Sequence, residues 1–300
     1  MKKFVQIVVA TSVWISLQAF ALTSERISEL ESIHQSISNK QVPLLQGQPL
    51  TIRSNTSDKQ LRAEIFAVHQ YSFSELVNKL SVPKQWCQFI TLHLNIKACV
   101  YRTLPHQSLS FFAGRKFYEP AEDAFELEYR FEIKTVTNNY FKLNLSAEEG
   151  PFGTQDYLIE LELLKVKNEV LIHMALSYQT SFSSRLGTSV YLKTIGADKI
   201  GFSQIKNSDD EFEYIQGIEG IIERNVMRYY LALSTYLRSD SRQQMTKAWF
   251  NATELFAKQL HEVELADYLD AKQLEYQQQS LMQQRINRGL SLFEDIVDDN

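Results

Sequence analysis

The run Phe125-Glu126-Leu127-Glu128-Tyr129-Arg130-Phe131-Glu132-Ile133-Lys134 alternates apolar and charged side chains at every position. Only a pleated strand with one wet face and one buried face needs a period of two. Phe141, Leu143 and Leu145 repeat it, Ile159, Leu161 and Leu163 stand against Glu160 and Glu162, and Val170 to Tyr178 is apolar at nearly every even position. The chain is therefore read as α+β, with a curved antiparallel sheet whose inner face another element must cover.

Turns and pattern together predict the register. A two-residue turn at Asn138-Asn139 would set Leu143 opposite Lys134 and Leu145 opposite Glu132, mixing the faces. A three-residue loop over 138–140 puts Leu145 opposite Ile133 and Leu143 opposite Thr135, so the longer loop is expected. In the later hairpin a two-residue turn at Asn168-Glu169 pairs Leu163 with Met174, Leu161 with Leu176 and Ile159 with Tyr178. His173 then shares a side with Ala175 and Ser177, opposite Glu160 and Glu162, and is expected to be exposed.

Upstream, Ser24 can cap a helix with Ile27, Leu30, Ile33 and Ile37 on one face, broken by Pro43, Gly47 and Pro49. Leu50–Arg53 and Leu61–His69 read as strands. Ser72 or Ser74 caps a helix over Glu75–Leu80, and Pro83 restarts it with Trp86, Phe89 and Ile90 facing inward. Ile96–Arg102 and Leu109–Lys116 are the next two strands. Downstream, Ser184–Ile195 reads as a short helix stopped by Gly196. Lys199–Ile205 and Phe212–Gln216 read as a small hairpin.

A helix of about Ile218–Arg238 follows, with Ile218, Ile222, Val226, Tyr229, Leu233, Tyr236 and Leu237 in one stripe. It has the length to close the sheet's inner face. Asn225 falls on the edge of the stripe. Arg224 and Arg228 lie off it, where solvated helix surface is the default. Two helices remain, one with Met245, Trp249, Phe256 and Leu260, and a Gln-rich, weakly apolar one from about Leu265 to Arg288. The second reads as a surface helix or one that pairs with a partner.

With 44% hydrophobic and 22% charged residues in a chain of 300, there is apolar mass enough for a large core. Lys2 and Lys3 precede an apolar run from Phe4 to Leu17, and Ala19-Phe20-Ala21 supplies small residues for a peptidase. This reads as a signal peptide cleaved after Ala21, which makes the mature protein periplasmic or secreted. A membrane anchor is the alternative, but the run is short and contains Gln6 and Gln18. Cleavage takes two of the 31 basic residues and none of the 36 acidic ones, so net charge moves from −5 to −7. An acidic chain without a basic tract argues against nucleic acid as a partner. Nothing later is apolar for long enough to span a bilayer. Cys87 and Cys99 form a disulfide between a helix and the next strand, or stay as two buried thiols; their spacing fits neither a redox pair nor a zinc site.

The chain divides into the signal (1–21), an N-terminal helix and lead-in strand (22–58), the sheet with its gripping helix (59–239, insertion 184–216) and a helical extension (240–300). The element order over roughly residues 60–238 resembles the helix-grip fold of the START-like (SRPBCC) superfamily. Trp86-Cys87, Glu149-Gly150-Pro151-Phe152-Gly153-Thr154 and Glu223-Arg224-Asn225 with Arg228-Tyr229-Tyr230 are also similar to runs in a group of exported bacterial proteins of unknown function. The insertion and the extension depart from the superfamily's usual plan.

That resemblance implies an apolar ligand, lipid-like, held between sheet and helix. The lining would be Tyr129, Phe131, Leu161, Met174, Leu176 and Tyr178, with Asn225, Val226, Arg228 and Tyr229 from the helix. The same residues would serve equally as a filled core. Asn225 needs a hydrogen-bond partner, from ligand or protein, and Arg228 can reach a head group. Phe152 in the Gly150–Thr154 turn is a candidate gate, or part of an ordinary turn. The six histidines (34, 69, 93, 106, 173, 261) show no ligand spacing, and no nucleophile elbow or phosphate loop occurs. Neither a metal nor a cofactor is expected. Enzyme action on an apolar substrate and a scaffold role for 241–290 with a protein partner are the competing readings.

Overall fold

The computed structural model describes residues 22–57, 60–180, 199–206 and 210–293. The signal segment, the helix expected at Ser184–Ile195 and the acidic tail lie outside the described residues. Eight strands form one antiparallel sheet: β1 (Leu50–Thr56), β2 (Gln60–His69), β3 (Ile96–Arg102), β4 (Ser108–Ala113), β5 (Phe125–Val136), β6 (Tyr140–Glu149), β7 (Gln155–Val166) and β8 (Glu169–Gln179). Their spatial order is β1-β2-β8-β7-β6-β5-β4-β3, so β1 and β3 are the edges. A separate small hairpin joins β9 (Gln204–Lys206) to β10 (Phe212–Tyr214). The helices are α1 (22–38), α2 (Phe73–Leu80), α3 (Pro83–Phe89), α4 (Gly217–Tyr236), α5 (Arg242–Glu254), α6 (Ala257–Leu260) and α7 (Leu265–Asn287).

The fold is α+β in the helix-grip arrangement. Leu127, Tyr129 and Phe131 of β5 are buried while the alternating Glu126, Glu128 and Arg130 are exposed, which is what the pattern requires. Helix α4 lies in the concave face against β1, β2 and β8 and buries Ile222, Val226, Met227, Tyr230 and Leu233 there. Each such side chain contributes ~1.5–3 kcal/mol on leaving water. Cys87 and Cys99 form a disulfide with a Cα–Cα separation of 5.1 Å, tying α3 to β3. Closing a loop this short stabilises the chain by ~3 kcal/mol. The bond fits an oxidising compartment, and no helix among the described residues is long and apolar enough to cross a membrane.

Both registers differ from the sequence reading. The β5–β6 hairpin closes at Asn138-Asn139, with the Thr137 N–H donating to the Tyr140 carbonyl at 2.8 Å. A register shift between Ile133 and Thr135 then pairs Ile133 with Leu143 and Phe131 with Leu145. The irregularity absorbs one residue and restores the faces, so the short turn is no longer in conflict with the pattern. The β7–β8 turn falls at Lys167-Asn168, with Lys167 in the left-handed region, and pairs Leu163 with Ile172 and Leu161 with Met174.

The sheet's outer face is also covered in part. Leu30 and Ile37 of α1 pack on Phe66, Val68, Leu164 and Leu171. His173, expected exposed, is fully buried beneath this helix. Its Nδ1 lies 2.6 Å from Glu162 and its Nε2 3.1 Å from Glu64, while Arg26 of α1 reaches Glu162 at 2.5 Å.

Helix α7 corrects a second expectation. Rather than standing on the surface, it lies along the β3 edge, with Tyr268, Lys272, Glu275, Gln279 and Met282 buried. The glutamine amides replace a ninth strand. Gln279 accepts from the Cys99 N–H and Gln283 from the Tyr101 N–H, each at 2.9 Å.

Candidate functional site

The interior between sheet and α4 brings together Tyr129, Phe131, Leu161, Met174, Leu176 and Val226, all buried in one core. Tyr178 and Tyr229 are half-buried and pack against it. The rings meet in pairs: Phe131 edge-on to Trp86 at 6.2 Å, Tyr129 on Phe111 at 4.7 Å, and Tyr178 stacked on Tyr157 at 4.9 Å. Asn225 is half-buried on α4. The gate assigned to Phe152 concerns a side chain outside the described residues; its backbone forms a 3-10 turn over Pro151–Gly153.

Tyr157, which follows that turn, was not singled out from sequence. Its hydroxyl lies 2.8 Å from Thr154 Oγ1. Tyr129, Tyr178 and Tyr229 are each pushed above the usual phenol range, by burial first and then by a neighbouring phenol: Tyr229 and then Tyr157 for Tyr129, Tyr157 for the other two. Four phenols thus belong to one apolar core and stay neutral there.

His93 joins them from the 3-10 turn after α3. Its ring stands 4.7 Å from that of Tyr229. Nδ1 accepts the Asn95 N–H at 3.1 Å, which leaves the proton on Nε2, a buried donor with no partner among the described residues. Burial, and then Arg228, Lys272, Lys97 and Lys116, hold this imidazole well below its ordinary pKa, so it is neutral.

Arg224 and Arg228, placed on solvated surface by the sequence reading, are buried. Helix α5 and the 260–262 segment cover that side of α4, and the Trp249 indole donates to the Arg228 carbonyl at 3.2 Å. Both guanidinium groups reach Glu262. Beside them, Glu223 is fully buried yet satisfied by neutral donors: the backbone N–H of Phe202 and Ser203 and the hydroxyls of Ser54 and Ser203, at 2.6–2.9 Å. This carboxylate fastens the 201–203 segment to α4. Gly201 has no room for a Cβ, which would meet Glu223 Oε2 at 2.6 Å and the Gly220 Cα at 2.9 Å.

Sequence spacing gave no sign of Lys97, Lys272 and Glu275, which form a third buried group. Glu275 takes Lys97 at 2.9 Å and Lys272 at 2.7 Å. The carbonyls of Leu94 and Phe117 accept the other Lys97 protons, and those of His93 and Ile96 accept the other Lys272 protons. Fully saturated, this group is a clasp for α7. Among the described residues no three His, Cys, Asp or Glu side chains come together to hold a metal.

No family model matches the sequence, and no curated protein is similar to it. Among solved structures, a truncated norcoclaurine synthase from Thalictrum flavum is 14% identical over 48% of this chain and 86% of its own, with a TM-score of 0.31. A conserved protein from Geobacillus kaustophilus is 11% identical over 64% of this chain and 97% of its own, with a TM-score of 0.30. CalU16 from Micromonospora echinospora is 11% identical over 71% and 98%, at 0.29. Superpositions this loose say nothing about activity.

Proposed function

We propose that this chain is an exported START-like protein that binds or carries a hydrophobic, lipid-like small molecule between the sheet and α4. The observation that supports this most is the gathering of Tyr129, Tyr157, Tyr178 and Tyr229 in one otherwise apolar core, with Tyr178 stacked on Tyr157. Apolar walls with a few convergent polar groups suit a ligand with an apolar body and one polar end. The wall is made of side chains that also pack on one another, so entry displaces them, and the Gly150–Thr154 turn beside Tyr157 is the natural place to open. The disulfide and the Lys2-to-Ala21 pattern support export.

Gentle purification from the native compartment followed by native mass spectrometry and lipid extraction tests the reading. A co-purifying apolar molecule, lost when Tyr129 and Tyr229 are changed to Phe, is the expected result. A clean apo protein that takes up no acyl probe in exchange assays would sink it.

A protein partner for 241–290 is the second reading. It is favoured by Leu274 and Leu281 of α7, which are 46% and 61% exposed at a spacing of seven residues, on one side of the helix. Changing both to Ser should abolish that partner's binding and leave acyl uptake intact.

A further inference from the structure

Four cationic side chains meet on one carboxylate. Glu262 sits in the linker between α6 and α7, its side chain only 6% exposed. Arg224 and Arg228 take its Oε1, Arg228 at 3.2 Å, while Lys116 and Lys199 take its Oε2 at 2.7 and 3.0 Å. The cations come from three separate parts of the chain: α4, the loop after β4, and the segment before β9. An ordinary surface pair uses one cation, and holding long side chains together in this number opposes both their repulsion and their entropy. Arg228 and Lys116 are also among the cations that, after burial itself, hold neighbouring His93 neutral. Lys116 is itself lowered, by burial first and then, against Glu262, by Arg228 and Lys199.

The carboxylate is the movable member. Its neighbours His261 and Glu264 are exposed and residues 261–264 belong to no helix, so a rotation that released Glu262 would unwind neither α5 nor α7, at the cost of lifting Val263 from the core. The two lysines are about a third exposed and lead from solvent to the buried arginines. Arg228 is followed on α4 by Tyr229, whose ring stands against that of His93, the bearer of the unpartnered Nε2–H.

We propose that Lys116, Lys199, Arg224 and Arg228 form an oxyanion site for a carboxylate or phosphate head group, and that Glu262 occupies it as an internal stand-in. Guanidinium pairs grip such planar or tetrahedral anions with two or more directed donors, and ammonium groups add point charge. The inference deepens the ligand reading above by giving the ligand an anionic end. It rests on that reading only for the ligand's apolar part.

The test compares the wild type with Glu262→Gln in inorganic phosphate, decanoate and methyl decanoate, against chloride at matched ionic strength. Phosphate or decanoate should raise the melting temperature of Glu262→Gln by about 3 °C and that of the wild type by less, because the stand-in competes. Stabilisation by decanoate alone makes the source an amphiphile; stabilisation by both makes a free anion sufficient. Binding of methyl decanoate as tight as decanoate keeps the apolar-ligand reading and overturns this one. Phosphate binding with neither acyl probe bound does the reverse. Neither anion acting beyond chloride overturns the site. If Glu262→Gln does not fold, hydrogen exchange in wild-type residues 257–265 decides: phosphate should speed it several-fold, and an unchanged rate overturns the proposal.

Discussion

Gln283 holds both backbone groups of Tyr101: its amide oxygen accepts the Tyr101 N–H at 2.9 Å, and its amide nitrogen donates to the Tyr101 carbonyl at 3.1 Å. A side-chain carboxamide here does what a neighbouring strand's peptide would do. Gln279, one helical turn earlier, serves Cys99, two residues back along β3. The match is geometric, since four helical residues advance about 6 Å and two strand residues advance about 6.7 Å. Open sheet edges invite pairing with other chains, and α7 closes this one.

Gln279→Leu and Gln283→Leu keep the bulk and remove the amide. The first strands a buried N–H and should cost about 1–3 kcal/mol; the second, where water can enter, should cost less. Amide exchange at Cys99 and Tyr101 should rise in the respective variants while β7 and β8 stay protected. Unchanged exchange at both would mean that α7 only lies beside the edge.

The period of two made the sheet and its inner residues legible, but it is blind to register. A slip of two residues returns every side chain to the same face, which is why Leu161 met Met174 instead of Leu176 without any face changing. What lay over the outer face was harder to read. The clue was a loss of alternation: Ile65-Phe66-Ala67-Val68 of β2 and Leu171-Ile172 of β8 are apolar on both sides, as strands covered twice must be. The apolar stripe of α1 was visible, yet nothing local says where a helix docks. The buried charges were hidden for the same reason. Arg224 lies 38 residues from Glu262, and Lys97 lies 178 from Glu275, so each reads alone as a solvated charge.

The Lys97–Glu275–Lys272 clasp should respond asymmetrically. All three side chains are no more than 2% exposed, so Glu275→Gln leaves two ammonium groups without a counter-charge and should cost about 3–5 kcal/mol in chemical denaturation. Replacing the whole group with Met, Leu and Met removes the desolvation cost together with the attraction. That triple variant should lie within about 2 kcal/mol of the wild type or exceed it. A triple variant less stable than Glu275→Gln alone would show that the hydrogen bonds to the Leu94, Phe117, His93 and Ile96 carbonyls, not the charges, hold α7.

Arg26 is the link between α1 and the acidic group beneath it. Its guanidinium bridges Glu29 of its own helix and the buried Glu162, which also accepts from the Tyr140 hydroxyl. Arg26→Met should therefore destabilise the protein by about 1–3 kcal/mol, because Glu162 loses one of its charged partners inside the protein. Exchange should increase along 22–38 before it increases in β7 or β8. Equal loss of protection in helix and sheet would mean that α1 is part of the cooperative core and not a separately docked cover.

Acid should weaken the fold in two stages. His69 is lowered to about 4, by burial first and then by Arg238, and His93 is lowered well below its ordinary value, by burial first and then by Arg228. A histidine whose folded pKa is depressed binds its proton more readily when unfolded, so its stabilisation is complete above the unfolded value, 6.5, and is lost as pH falls toward the folded one. For half-buried His69 this amounts to about 1–2 kcal/mol after allowance for solvent. The carboxylates follow. Glu262 is lowered to about 2, burial opposing and its cations prevailing, and Glu64 and Glu162 are lowered beside His173. Their contribution is present above 4.5 and disappears as pH falls through the folded values. The melting temperature should therefore decline gently from pH 6.5 and steeply below 4.5, and His69→Gln should reduce the first stage to the share of His93 while leaving the second. A wild-type profile with no decline between those two values would show that neither histidine is held neutral by the fold.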